Sequence, residues 1–119
     1  MVKFISVLKP ADNSGAEKLR VIGVKKKQIA SLGDEVKVVV SGADASGIVK
    51  DSEICEAVIV RTKKEVRRKD GSYIRFDDNA AVLIDKNGNP RASRIFGPIA
   101  REVKEKGYSR IASLATELV

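Results

Sequence analysis

The sequence predicts a mainly β protein: a small five-stranded antiparallel β-barrel with a projecting basic β-ribbon and one or two short C-terminal helices. Three observations carry this expectation. Short apolar runs rich in β-branched residues recur between turn clusters, the pattern of strands in a small barrel. Asp70-Gly71 and Asn87-Gly88 each sit between extended segments, and both pairs suit tight hairpin turns that need positive φ. Beyond residue 97 the apolar spacing changes to i, i+4, with Pro98 in front and Gly107 behind as helix start and stop signals.

Taken in order, residues 3–9 form a first strand, with Phe4 in the core, halted by Pro10. Residues 11–15 are a turn cluster of Asp, Asn, Ser and Gly. A second strand at 18–25 places Leu19, Val21, Gly23 and Lys25 on one face, and Gly23 marks a bulge or bend. Lys25, Lys26 and Lys27 make a short basic loop, open either to solvent or to phosphate. Leu32-Gly33-Asp34-Glu35 turns into a third strand at 36–40. A small-residue loop at 41–47 and the pair Ile48-Val49 then lead to a fourth strand at 54–60.

Residues 57–83 organise the rest. Ala57-Val58-Ile59-Val60 is too short for a helix and reads as a buried strand. It continues into the basic ribbon, 61–76, which turns at Lys69-Asp70-Gly71-Ser72. Phe76 joins the core, and a second apolar strand follows at 80–84. A hairpin turn at 85–90 completes a barrel of about residues 1–92. The helices fall at about 98–115: one from 98 to 106 burying Ile99 and Val103, the second from 109 to 115 turning Ile111, Leu114 and Ala115 inward. No repeat or linker divides the 119 residues, so a single domain is expected.

Composition excludes several kinds of chemistry. There is no histidine, which removes the commonest general base, the Ser-His and Cys-His dyads and most zinc sites. Gly42 and Gly47 have phosphate-loop spacing, but Ile48-Val49 stands where Lys-Ser/Thr is required. Asp77 and Asp78 are adjacent on extended chain and diverge, which favours a turn role over a metal or acid–base pair. Cys55 is alone, so there is no internal disulfide, and its apolar neighbours suit a small buried hydrophobe. No apolar run approaches a membrane span, and Met1-Val2-Lys3-Phe4 opens no signal peptide, so a cytoplasmic protein without cofactor, metal, membrane or small-molecule partner is expected.

Charge indicates the partner. Of a net +7, residues 61–75 hold seven cations against two anions, and residues 91–110 hold six against two. Any single run of charge can be a solvated surface, but two concentrated runs, one of them on a hairpin, form the footprint of a polyanion partner. The candidate RNA-binding cations on the ribbon are Arg61, Lys63, Lys64, Arg67, Arg68, Lys69 and Arg75. Those farther along are Arg91, Arg94, Arg101 and Lys104.

Several separated motifs carry a resemblance. Ala57-Val-Ile-Val, Asp70-Gly71, Phe76, Asn79 and Val82-Leu83 stand at the spacing of the signature of the universal large-subunit ribosomal protein fourteen family. In the same order, residues 11–16 (ADNSGA), 60–64 (VRTKK), 94–102 (RIFGPIARE) and 111–115 (IASLA) are similar to that family. The resemblance covers nearly the whole chain and favours the bacterial or organellar form.

It implies a five-stranded barrel with a ribbon and short C-terminal helices, bound to large-subunit ribosomal RNA at the subunit interface. It also implies bridges to small-subunit RNA and contacts with neighbouring large-subunit proteins. In bacteria and organelles it implies docking of the ribosome silencing factor, with Ser93, Arg94 and Arg110 at the matching positions. The chain departs from the family in a shorter loop after Val24, a near-neutral loop at 43–53, Glu65 in place of Gly and Lys69 in place of Pro. RNA contacts are therefore not carried over onto those two loops.

Two other classes compete. A free single-strand-binding barrel stacks bases on exposed aromatics, and Tyr73, Phe96 and Tyr108 are too scattered for such a platform. A protein-docking module would use apolar surface around Phe96 and Ile99, and it can coexist with RNA binding. An enzyme ranks behind both.

Overall fold

The computed structural model describes residues 2–3, 7–24 and 29–119. In chain order these form β1 (Val2–Lys3), β2 (Val7–Pro10), β3 (Ala16–Val24), β4 (Ile29–Ala30), β5 (Glu35–Ala43) and β6 (Ile54–Arg61). There follow β7 (Val66–Arg67), β8 (Tyr73–Ile74), β9 (Ala80–Ile84), β10 (Pro98–Ile99), α1 (Glu102–Glu105), α2 (Ser109–Leu114) and β11 (Glu117–Leu118). The expected Phe4 and the Lys25–Lys27 loop lie outside the described residues.

Alternation builds the barrel. Val36, Val38 and Val40 of β5 are buried while Lys37 and Ser41 are exposed, and Leu19 and Val21 of β3 are buried between exposed Lys18 and Arg20. Strands β2, β3, β5, β6 and β9 close in that order. The barrel is mixed rather than wholly antiparallel. Four pairings are antiparallel, but β2 meets β9 in parallel, with Lys9 opposite Ala80 and Pro10 opposite Ala81. An odd number of strands requires this, because the fifth strand of an up-and-down meander runs in the same direction as the first.

The predicted irregularity at Gly23 is present: the β3–β5 register shifts between Val21 and Gly23. The shift changes which residues face inward, so Val24 packs against the core in place of the expected run of one face.

Strands β6 and β9 are apolar on both faces because both faces are covered. Cys55, Ala57, Ile59, Ala81 and Leu83 point into the barrel. Val58, Val60, Ala80, Val82 and Ile84 instead pack under the C-terminal segment, against Ile95, Ile99, Val103 and Ile111. Each of the Val and Ile side chains contributes roughly 1.5–3 kcal/mol on full burial, so the C-terminal segment is part of the core rather than an appendage.

That segment is less helical than expected. Pro98 and Ile99 are extended and pair in parallel with Glu117 and Leu118, so α1 spans only Glu102–Glu105. The Val119 N–H donates to the Ile99 carbonyl at 2.9 Å and the Arg101 N–H to the Val119 oxygen at 2.9 Å, bonds that a helix from residue 98 would have forgone. Gly107, at φ +101°, ends the α1 turn as expected. In α2, Ile111 is buried, but Leu114 is 39% exposed and does not turn inward; Ala115, extended just past the helix end, is half-buried.

The ribbon pairs Val66 with Ile74 and Arg67 with Tyr73. Its base is held by the Phe76 N–H donating to the Thr62 carbonyl at 2.9 Å. Gly71 (φ +88°) donates to the Arg68 carbonyl at 3.0 Å, and the Arg68 N–H to that of Ser72 at 2.8 Å, closing the predicted Asp-Gly turn. One ribbon face returns to the body, where Val66, Ile74 and Phe76 pack against the core.

Candidate nucleic-acid interface

The structure separates the predicted cations into two sets. Lys63, Lys64, Arg67, Lys69, Arg75, Arg94, Arg101 and Lys104 are exposed, whereas Arg61, Arg68 and Arg91 are engaged within the protein.

Each inward arginine ties together segments distant in sequence. Arg61 Nη1 donates to the Phe96 carbonyl at 2.9 Å and the Pro98 carbonyl at 3.3 Å. Its Nε lies 3.0 Å from Asp78 Oδ1. This contact is electrostatic: the buried Nε–H makes no hydrogen bond within the protein. Arg68 grips Glu102 with Nη2 at 3.0 Å and Nε at 3.4 Å, and Nη2 also donates to the Val119 oxygen at 2.6 Å. The ribbon is thereby fastened to α1 and to the end of β11. Arg91 Nη1 donates to Glu53 Oε2 at 2.8 Å and to Cys55 Sγ at 3.2 Å. The Arg91 hydrogen bond holds the Glu53 carboxyl below its ordinary range, and the same bond raises the Arg91 guanidinium.

Among the described residues the exposed set makes no comparably close ion pair. Lys64 has a loose pairing with Glu65, 3.7 Å on an open surface, worth little in water. Asn79 Oδ1 accepts from the Lys63 N–H at 2.8 Å, and the Thr62 hydroxyl donates to the Lys64 carbonyl at 3.0 Å, so main-chain bonds fix the ribbon where it leaves β6. At its tip the Ser72 hydroxyl and N–H hold the Asp70 carboxyl below its usual value. A ribbon pinned in this way, with cations spread along it, can track a phosphate backbone.

The sequence reading did not anticipate the part played by Asp12 and Asn13. Asn13 Oδ1 accepts from the Arg94 N–H at 3.0 Å, its Nδ2 donates to Ser93 Oγ at 3.2 Å, and the Phe96 N–H donates to the Ala11 carbonyl at 2.6 Å. Segments 11–13 and 93–96 are therefore one unit, which presents Ser93 and Arg94 to solvent. Beneath it Asp12 is buried, accepting from the Ser14 N–H at 3.3 Å and the Leu83 N–H at 3.1 Å, and burial pushes its carboxyl up despite those bonds. Arg110 is exposed on α2.

The remaining candidates resolve as follows. Cys55 is free and 5% exposed, its thiol donating to Glu53 Oε2 at 3.4 Å, and burial pushes it up to about 11. Asp78 turns to Arg61 while Asp77 is exposed, and among the described residues no group of acidic or thiol side chains could hold a metal. The loop containing Gly42 and Gly47 packs on residues 14–15: the Ile48 N–H donates to the Ser14 carbonyl at 2.9 Å and the Asp44 N–H to that of Gly15 at 2.8 Å. A Cβ on Gly15 would come within 2.7 Å of the Gly47 Cα, and one on Gly47 within 2.6 Å of the Ser14 carbonyl oxygen, so Gly15 and Gly47 serve close backbone approach. Tyr73 and Phe96 are exposed on separate elements, and Ile99 is buried, which leaves Phe96 alone in the apolar surface expected around them.

A family model described as ribosomal protein L14p/L23e matches residues 1–119. The large ribosomal subunit protein uL14 of Petrotoga mobilis is 57% identical over 121 residues, covering 99% of this chain and 99% of that protein. The likeness spans barrel, ribbon and C-terminal segment alike and agrees with the bacterial type read from the motifs. This chain belongs to the ribosomal protein L14p/L23e family.

Proposed function

We propose that this protein is a structural constituent of the bacterial large ribosomal subunit in the cytoplasm, acting as a single domain that binds large-subunit rRNA. The observation that supports this reading is the division of its arginines and lysines. Arg61, Arg68 and Arg91 brace the fold, while Lys63, Lys64, Arg67, Lys69 and Arg75 stay at the ribbon surface and Arg94, Arg101 and Lys104 along the C-terminal segment. Phosphates are neutralised by the exposed set, with affinity falling as salt rises through counterion release. Recognition is of RNA backbone and shape. The work is assembly rather than catalysis.

The finer roles follow from the same surface. The cationic ribbon and C-terminal segment also reach small-subunit RNA at an intersubunit bridge, and neighbouring large-subunit proteins pack beside them. Ser93 and Arg94, fixed by Asn13, form with Arg110 the docking surface for a ribosome silencing factor.

Sedimentation tests the reading. Tagged protein in a lysate spun through sucrose at low magnesium, which parts the subunits, is expected to travel with the large subunit and to survive a moderate-salt wash. A folded protein that stays wholly at the top of the gradient would overturn the assignment.

A further inference from the structure

A second surface, away from the ribbon and sharing Arg110 with the docking surface proposed above, has the chemistry of a nucleotide site. Between the 85–90 turn and the α1–α2 corner lies a cleft of about 390 Å³, lined by Lys86, Asn87, Asn89, Lys106, Tyr108 and Arg110, with Glu35 also in its wall. Its volume lies within the range of roughly 300–1,000 Å³ that holds a small organic ligand, but such sites are mainly apolar and this one is polar, with Lys86 and Arg110 as its exposed cations while Lys106 is paired to Asp34.

Its walls are fixed. Asp85 Oδ1 accepts both the Asn87 N–H at 2.8 Å and the Asn89 N–H at 3.0 Å, which sets the turn. Gly88, at φ +80°, lies so near the Tyr108 ring that a Cβ there would stand 3.5 Å from Cε1. The Tyr108 hydroxyl donates to Glu35 Oε1 at 3.4 Å, which holds the far end of the ring.

We propose that this cleft takes one unstacked nucleotide of a single-stranded RNA segment, an inference that rests on the RNA-binding reading above. Lys86 on the turn and Arg110 on α2 hold the flanking phosphates at the rims, and the base enters against Tyr108. The amides of Asn87 and Asn89 match the donors and acceptors of a base edge. A paired helix cannot enter so small a cleft, so the segment recognised is a loop, bulge or end. A protein segment suits it less, because the cleft has little apolar surface to cover.

The test is an NMR titration of the full chain with a short mixed-sequence oligoribonucleotide, run beside inorganic phosphate. Amides of 86–89 and 107–110 are expected to shift with RNA, together with those of the ribbon, and to respond weakly to phosphate. Tyr108→Leu, which keeps apolar packing, is expected to weaken the cleft response about tenfold and leave the ribbon response intact. The exposed pair Lys86→Ala and Arg110→Ala gives the same loss and does not disturb the core. A ribbon response without a cleft response overturns the site and leaves the RNA-binding reading standing. A cleft response equal for phosphate and RNA, or unchanged in all these variants, also overturns it. Silence at both places overturns the RNA-binding reading itself.

Discussion

Arg61 donates from Nη1 to the carbonyl of Phe96 at 2.9 Å, fastening the end of β6 to the loop that leads into β10. With its side chain only 12% exposed, this guanidinium is an internal clamp. Arg61→Ala leaves two carbonyls and Asp78 without their cation, and is expected to destabilise the fold by about 3 kcal/mol. Urea unfolding measures the loss, and the salt dependence of RNA binding should be unchanged once the variant is folded.

Gly97 is the complement of that clamp. It sits at φ +77°, and a Cβ there would collide with Arg61 Nη1. Gly97→Ala is expected to cost about 1–3 kcal/mol, part of it backbone strain and part the collision. In the Arg61→Ala background only the strain remains, so the double-mutant cycle should be non-additive.

The ribbon offers a contrast between neighbours. Replacing exposed Arg67 and Lys69 by Ala should lower the slope of log affinity against log salt by about 2, with little change in unfolding stability. Arg68→Ala should do the reverse, because Arg68 is committed to Glu102 and Val119. Its expected signature is a loss of about 2 kcal/mol of stability with the slope retained.

Asp12 and Glu53 respond to acid with opposite signs. Burial raises Asp12, so the folded state keeps this proton to higher pH than the unfolded chain. Its contribution is present below the unfolded value and lost as pH rises through the folded one. Glu53 is lowered by Arg91, so its contribution is present above the unfolded value and lost as pH falls through the folded one. Arg91→Ala should therefore cost stability at neutral pH and progressively less on acidification. Asp12→Asn should remove the acid-favoured contribution. Urea curves taken across the carboxylate range measure both.

Cys55 makes an alkaline prediction. Its folded value of about 11 exceeds the ordinary thiol range, so its contribution to stability is full below the unfolded value and lost as pH rises through about 11. Alkylation of the native protein at neutral pH should be slow and should track global opening, and denatured protein should react at the rate of a free thiol.

Much of the barrel was legible because its signals are local. The β-branched runs, the Asp-Gly and Asn-Gly turns and the bulge at Gly23 are written in adjacent residues. What stayed hidden depended on partners far along the chain. Nothing near Arg61, Arg68 or Arg91 announces Phe96, Glu102 or Glu53, so a count of cations could not separate braces from free charges. Pro98 and Ile99 have a helix-start pattern, but residues 117–119 supply the hydrogen bonds that make them a strand. Asn13 looked like a turn former, and its bonds to residues 93 and 94 emerge only when the two loops meet.

The parallel seam between β2 and β9 governs the order of events as the chain is made. β2 obtains its first neighbour, β3, early, but its other edge stays unpaired until residues 80–84 have been synthesised and have left the exit tunnel. Closure is thus a late, non-local step of the kind that slows folding, and until then β2 presents a free edge able to recruit foreign strands. A nascent chain stalled before residue 80 is an open sheet, vulnerable to aggregation and proteolysis, and adding β9 converts it to a barrel with no edge left to protect.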